Sequence, residues 1–443
     1  MSDYFEYVGK LFKKGAKRDP PLKGIRVLEM THYVYGPTVG MVLARLGAEV
    51  VKVEPMGEGD RFRMGALWMR MFKKANLHFL VLNANKYFIT LDARNAKAHE
   101  ILLKLASKVD VFVENLRAGL LDSLGLGYTQ LSKVNPRMIY VSCSGYGQYG
   151  PLSKAPSFDA SAQGIMGLAM KTGWPEVDEF YKLPDYFGDY LPAMIAVAAV
   201  LAALHHREKT GEGQYIDATQ VESLFRFFYD VTYLSLTGKE IGRTGNVDPL
   251  AMASGIFTTS DGKFVAIAIM EEGQLSAILR AMGMRSPGSR NRFKSRKYAD
   301  KLNDSISRWV SSKTLDEVIE CARVHGFPAS PVLADLEVYK DPWRWERGSI
   351  VEFNDRMYGR VHIPEVPIHL SATPPRVKWL GRPVGYHNRL ILKKWLGYSE
   401  EEIRKLEKEG VIGYWDQCPG ACPPDAWNVE EDPVFEGEVD ECE

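Results

Sequence analysis

The sequence predicts an α/β protein: a doubly wound large domain with a parallel sheet, accompanied by a smaller α+β domain. Three observations carry this. Residues 24–54 read as strand, helix, strand within the span of one βαβ unit. The same alternation recurs to about residue 142, which signals a parallel sheet covered on both faces. The chain has 443 residues, more than a single core of about 250–300 residues accommodates.

The elements follow in order. Residues 24–35, Gly-Ile-Arg-Val-Leu-Glu-Met-Thr-His-Tyr-Val-Tyr, have a β-branched start and run into the Gly36-Pro37 breaker, and Thr38–Leu46 then has helical character. Ala48–Glu54 is a second buried strand, and Phe88–Leu91 a third. His99–Val109 places Ile101, Leu102, Leu105 and Val109 on one helical face. Val111–Val113 and Met138–Ser142 are further strands. The apolar run Ala193–Leu204 is a core helix, followed by the turn Lys209-Thr-Gly-Glu-Gly and the short strand Tyr215–Asp217. From about 235 the character changes. Residues 255–269 form a hairpin about Asp261-Gly262, and helices are expected at 274–282, 300–311 and 315–325. A closing helix spans 399–409. The expected division is therefore 1–230 for the first part of the large domain, 231–339 for the small domain, 340–413 for the returning part and 414–443 for a tail.

Charge and composition exclude several classes. Lys and Arg number 56, and so do Asp and Glu. A nucleic-acid binder normally carries a basic excess, so none is expected as a partner. The twelve-residue run Ala193–Leu204 falls short of the roughly 20 residues that cross a bilayer, so no membrane association is expected. The first residues lack a signal-peptide pattern, and five Cys make no disulfide framework; a reducing, cytoplasmic setting is the expectation. Eight of the balancing acids crowd into residues 430–443, a run that normally reads as a solvated tail. Residues 1–429 thus carry +8, which suits an anionic ligand.

Motifs for phosphate loops, zinc proteases and serine hydrolases are absent. Cys418-x3-Cys422 lacks a His or second Cys pair, so no metal site is expected. Asp189 stands out in Phe187-Gly-Asp-Tyr-Leu-Pro192, just before the apolar helix. It is either a helix-capping residue or a carboxylate nucleophile kept ionised by the helix dipole, and periodicity does not separate the two. Tyr33, Tyr35, Trp68, Met69, Met71 and Phe72 form an aromatic and Met-rich set that is either core or the lining of an apolar pocket.

A set of ordered motifs then points further. They include Leu46-Gly-Ala-Glu-Val-Val-Lys-Val-Glu54, Asn85-Lys86, Val113-Glu-Asn-Leu-Arg-Ala-Gly119 and Leu124-Gly-Leu-Gly-Tyr128. Ser144-Gly-Tyr-Gly-Gln-Tyr-Gly-Pro151, Phe158-Asp, Gly188-Asp189 and Ala202–Gln214 follow. In these the chain resembles the class III (CaiB/BaiF-type) CoA-transferases from about Pro21 to Ile412. The resemblance implies a Rossmann-like large domain made from both chain ends, an inserted small domain, and an interlocked ring dimer, either a homodimer or a heteromer with a related subunit. It implies transfer of CoA between carboxylic acids, with CoA thioesters as substrates and no tightly bound cofactor. Asp189 falls at the family's nucleophile, which passes through an aspartyl anhydride and an aspartyl-CoA thioester. By the same likeness, CoA contacts fall at Val34, Tyr35, Leu91, Arg94, Asn115, Leu116 and Arg117, and Phe158 and Asp159 line the active site.

The chain departs from the pattern at Val34, Pro55 and Ser123, where some members carry Gln or basic residues; Arg61 or Arg63 is a candidate substitute for the second. These departures speak against oxalate or formate chemistry. The segment Lys182–Pro192 resembles the subgroup acting on benzylsuccinate with succinyl-CoA. An acyl-CoA racemase or isomerase of the same fold would need a His/Asp pair, and no His lies between His99 and His205. A non-catalytic partner subunit is the remaining alternative.

Overall fold

The computed structural model describes residues 2–13, 18–65, 71–226, 228, 230–285 and 296–441. Trp68 and Met69 lie outside them. The chain separates into two compact units, one of residues 1–166, 184–229 and 345–443, the other of 167–183 and 230–344.

The first unit is organised by six parallel strands: β1 (Arg26–Met30), β2 (Glu49–Glu54), β3 (Lys86–Thr90), β4 (Val111–Glu114), β5 (Ile139–Ser144) and β6 (Tyr215–Thr219). Their order across the sheet is β3-β2-β1-β4-β5-β6, so the direction of winding reverses between β1 and β4. Both faces are covered, and alternate residues serve them. Val27, Val50, Val111, Val113, Ile139 and Val141 face α1 (Tyr35–Arg45) and the long helix α4 (Phe187–Thr210). Leu28, Val51, Phe112 and Tyr140 face α2 (Ala96–Ala106) and returning residues such as Trp379, Ile391 and Trp395. A strand buried on both sides reads as a continuous apolar run, which explains the Val-Val-Lys-Val and Val-Phe-Val segments.

The helix α4 is longer than the apolar run foretold. It starts at Phe187, takes in Pro192 and continues through His205-His206-Arg207 to a left-handed Gly211 cap. By length and composition it is able to cross a membrane, yet Ala193, Ala196, Val200 and Ala203 are packed into the core. Two short helices complete the region: α3 (Asp159–Ile165) and α5 (Gln220–Phe225), both packed against α4.

The second unit holds a three-stranded antiparallel sheet, Ala253–Thr258 paired with Phe264–Ile269 and the latter with Ala329–Pro331. Helices Glu272–Ala281, Arg296–Ser311 and Leu315–His325 supply its core with Ile278, Ile306 and Val318. Residues 167–183, assigned by sequence to the large domain, pack here instead. The Arg243 guanidinium donates to the carbonyls of Val177 and Glu179, at 2.5 and 2.7 Å, and Gly245 N–H donates to Gly173 O.

The C-terminal segment corrects the expectation of a solvated tail. Its acids are spaced to meet basic and phenolic groups of the first unit. Glu441 accepts from Arg382 at 2.7 Å, Asp432 from Arg356 at 2.8 Å, and Glu436 pairs with Arg389. Asp440 accepts from Tyr87 and Lys394, and Asp432 also from Tyr386. Val434 is fully buried among them. Arg382 itself is buried and bridges Glu441 to the fully buried Asp355. Burial alone would raise the Glu441 carboxyl, but Arg382 and His387 hold it well below the usual range.

Candidate active site

Open doubly wound sheets bind ligands beyond the carboxyl ends of the strands, at the point where the winding reverses. Here that point lies between the loops after β1 and β4. Asn115 ties the two together: its Oδ1 accepts from His32 N–H and its Nδ2 donates to His32 O, both at 2.8 Å. Gly36 makes this possible, since a Cβ there would sit 2.7 Å from Thr31 and 2.9 Å from Asn115. The β1 loop is held from below by a buried charge network. Lys52 donates to Thr31 O at 2.7 Å and pairs with Asp60, whose Oδ1 accepts from Tyr33 N–H. Lys86 pairs with Glu29 at 2.8 Å. Burial works against the charge of Lys52, but Asp60 and Glu29 outweigh it; Lys86 is pushed down to about 8, chiefly by burial. Tyr33, held at its N–H by Asp60, adopts left-handed backbone, φ 62°, and its ring lies edge-on to Phe158 at 5.4 Å.

Asp189 sits in the first turn of α4 and is 8% exposed. Two left-handed residues, Asp185 and Tyr186, turn the chain into the helix. The neighbouring Gly188 N–H donates to Asp159 Oδ1 at 2.7 Å, and the same oxygen accepts from Gln163 at 2.7 Å. A side chain at Gly188 would place its Cβ 2.8 Å from that oxygen, so Gly188 lets Asp159 approach. Gln220, the first residue of α5, donates from Nε2 to Asp189 Oδ1. A helix start is a favourable place for a carboxylate, and a side-chain N–H adds to it.

The residues singled out from sequence separate into groups. Asp189, Asp159 and Phe158 gather at the start of α4, with Phe158 59% exposed. Val34, Tyr35, Asn115, Leu116 and Arg117 gather at the winding reversal, but the side chains of Val34 and Tyr35 are buried in the core. Leu91 is likewise a core residue, and Arg94 is exposed and paired with Asp92 at 2.9 Å. Arg63 is no substitute for the missing basic residue: it is buried, paired with Glu54 at 2.7 Å and stacked over Phe79. Arg61 remains exposed in the same short helix. Met71 and Phe72 belong to a short hairpin with Ala75–Asn76, and Phe72 is exposed there.

Arg117 also lines a cavity of about 330 Å³ with Glu114, Asp122, Tyr128, Tyr140, Gln148 and Tyr215. Burial pushes Glu114 up to about 7, although Ser142 and the Leu116 N–H both donate to it. Elsewhere, Glu58, Asp416 and Cys418 bring ligand atoms within 4.8 Å of one another, a partly exposed surface group.

Two residues escaped the sequence reading. Gln220 carried no local signal, because its partner lies 31 residues away. His78 precedes the His-free span between His99 and His205, yet its Nε2 is 2.6 Å from Tyr190 Oη, on the residue after Asp189. Phe62 and Tyr186 flank its ring at 5.2 and 5.8 Å. Burial pushes the Tyr190 phenol up to about 12, so its hydroxyl stays protonated.

Fold and site together define a doubly wound α/β enzyme with a buried, hydrogen-bonded carboxylate at a core-helix start. The family model for CoA-transferase family III matches residues 22–388. The succinyl-CoA–D-citramalate CoA-transferase of Chloroflexus aurantiacus is 33% identical over 404 residues, 90% of this chain and all of that protein. The succinyl-CoA:glutarate CoA-transferase of Mus musculus is 30% identical, covering 88% of this chain and 90% of that protein. A solved CAIB/BAIF family protein from Brucella suis superposes with a TM-score of 0.74 at 28% identity, over 85% of this chain and 100% of that one. The chain belongs to CoA-transferase family III, and the protein is an enzyme of that class.

Proposed function

We propose that the enzyme transfers CoA from succinyl-CoA to a second dicarboxylic acid, with Asp189 as the nucleophile. The observation that carries this is the placement of Asp189 in the first turn of α4, its carboxylate oriented by Gln220. The relatives support the substrate class, since their names pair succinyl-CoA with citramalate, malate or glutarate. Benzylsuccinate, a dicarboxylate with an aromatic substituent, is one acceptor of this class; the relatives compared are not named for it. The chemistry exchanges one thioester for another, so no external energy source is needed. A carboxylate that forms successive covalent intermediates divides one hard step into easier ones.

In this reading the loops at the winding reversal hold CoA. It assigns Asn115, Leu116 and Arg117 to the pantetheine and phosphates; the support is that Arg117 lines a cavity beside β4, where its planar guanidinium suits an anion. Val34, Tyr35 and Leu91 contribute backbone and packing. Phe158 and Asp159 border the reacting centre, Asp159 by holding Gly188. Two chains, alike or related, form the working enzyme, in a cytoplasmic setting.

The test is incubation with succinyl-CoA followed by borohydride or hydroxylamine and peptide mapping. Modification confined to Asp189 is the expected result. Full turnover by Asp189→Ala would overturn the reading. A panel of dicarboxylic acceptors, benzylsuccinate among them, then assigns the second substrate. A purified chain that is inactive alone and active with a related subunit would identify a heteromer.

A further inference from the structure

We infer that Gln220 is a catalytic residue, the donor that stabilises the oxyanion formed on the side chain of Asp189 itself; this deepens the reading of Asp189 as nucleophile and rests on it. Gln220 is 4% exposed and opens α5 directly after β6, where Thr219 caps the helix by accepting from the Glu222 N–H at 3.0 Å. Its amide is oriented at both ends. The Ser157 hydroxyl donates to Oε1 at 2.9 Å, and Nε2 donates to Asp189 Oδ1. A carboxylate only accepts, so the nitrogen must face Asp189. The donor is thus fixed before reaction, which is the condition for electrostatic stabilisation without reorganisation.

The reaction makes two kinds of tetrahedral intermediate. In the first step Asp189 Oδ2 attacks the thioester carbonyl, the C–S bond breaks, and CoA thiolate leaves a mixed anhydride. The negative charge then passes through the substrate's oxygen. In the second step the thiolate attacks Asp189 Cγ, the anhydride C–O bond breaks, and the donor acid leaves as carboxylate. Here the charge collects on Oδ1. The acceptor carboxylate attacks the same carbon in the third step and expels thiolate, again through a charge on Oδ1. In the last step the thiolate returns to the acyl carbon and Asp189 is released. Gln220 Nε2 touches Oδ1 and therefore serves the second and third steps, whereas the first and last need a donor at the substrate carbonyl.

The experiment compares wild type, Gln220→Met and Ser157→Ala with succinyl-CoA. Two quantities are read: succinyl hydroxamate formed above the Asp189→Ala background that succinyl-CoA itself gives, which reports capture of the anhydride, and the Asp189-CoA thioester by mass spectrometry of the quenched protein. Gln220→Met keeps the bulk and lacks the donor. Its thioester formation and turnover should fall by about 10²–10³, the loss typical of one oxyanion donor, while anhydride capture stays within about fivefold. Ser157→Ala, which frees the amide to rotate and removes a long contact with Ser161 Oγ, should show a smaller loss of the same pattern. Gln220→Met turnover within threefold of wild type overturns the inference, as does an equal loss of both steps in protein of unchanged melting temperature. If Gln220→Met fails to fold, an absence of step-selective loss in Ser157→Ala overturns it instead. Asp189→Ala separates the two levels: turnover in that variant refutes the nucleophile, whatever Gln220 does.

Discussion

Replacing Arg382 with Met is expected to destabilise the large unit by about 3–5 kcal/mol, because it strands two buried carboxylates at once. The structure sets the size. Arg382 donates to Glu441 at 2.7 Å and to Asp355 at 3.0 Å, with all three side chains at most 4% exposed. Asp355 keeps backbone donors from Met357, Tyr358 and Leu380, and Glu441 keeps His387 among the described residues. Glu441→Gln is milder. Arg382 retains Asp355, and the amide oxygen still accepts, so the loss is that of one charged hydrogen bond, about 1–2 kcal/mol. The double variant should cost less than the two losses together, because Glu441→Gln removes one of the two charges that Arg382→Met strands and Arg382→Met already includes the loss of their bond. Urea unfolding followed by Trp fluorescence measures all three. The acid dependence has a definite sign. Glu441 is depressed below its ordinary value of 4.5, so its contribution is complete above that pH and fades as pH falls below it. The difference between wild type and Glu441→Gln should therefore shrink under acid. Arg382→Met within about 0.5 kcal/mol of wild type would refute the reasoning, since an effect that small belongs to exposed pairs and would mean the segment is undocked in solution.

Other outcomes follow from the site. Glu114 is raised by burial from 4.5 to about 7, so the folded chain keeps a proton that the unfolded chain gives up between those values. Stability falls across that window as pH rises. Glu114→Gln should gain on wild type from pH 5 to 8, by up to about 3 kcal/mol, read from denaturation midpoints. Asp159→Ala strands the Gly188 N–H and removes one acceptor from Gln163, a cost of about 1–3 kcal/mol, and lowers kcat by loosening the turn that presents Asp189. His78→Phe keeps an aromatic ring against Phe62 and Tyr186 but frees the Tyr190 hydroxyl, so the relative kcat/KM for two dicarboxylic acceptors should shift while stability changes little.

The parallel sheet was legible because buried strands are written as short β-branched runs between breakers; each such run became a strand within a residue or two, except that the first stops at Met30, well before the Gly36-Pro37 breaker. The start of α4 was not, because Gly188 and Pro192 in its first turns disguise a helix that begins six residues before the apolar run. Asp189 was visible only through its setting and the family likeness. Gln220 and His78 were invisible because what defines them is a partner 31 or 112 residues away. The acidic segment misled for a physical reason. A charge run normally seeks water, but Arg356, Arg382, Arg389 and Lys394 are scattered along the chain and meet these acids only after folding.

That meeting has a consequence for how the protein is made. Asp440 bonds to Tyr87, 353 residues upstream, and Glu441 anchors Arg382 beneath the same strand. Both contacts close across intervening chain, so this edge of the parallel sheet is completed only when residues 432–441 have folded back onto it. The acids of this segment therefore act as late clasps, holding strands and loops that sequence keeps far apart.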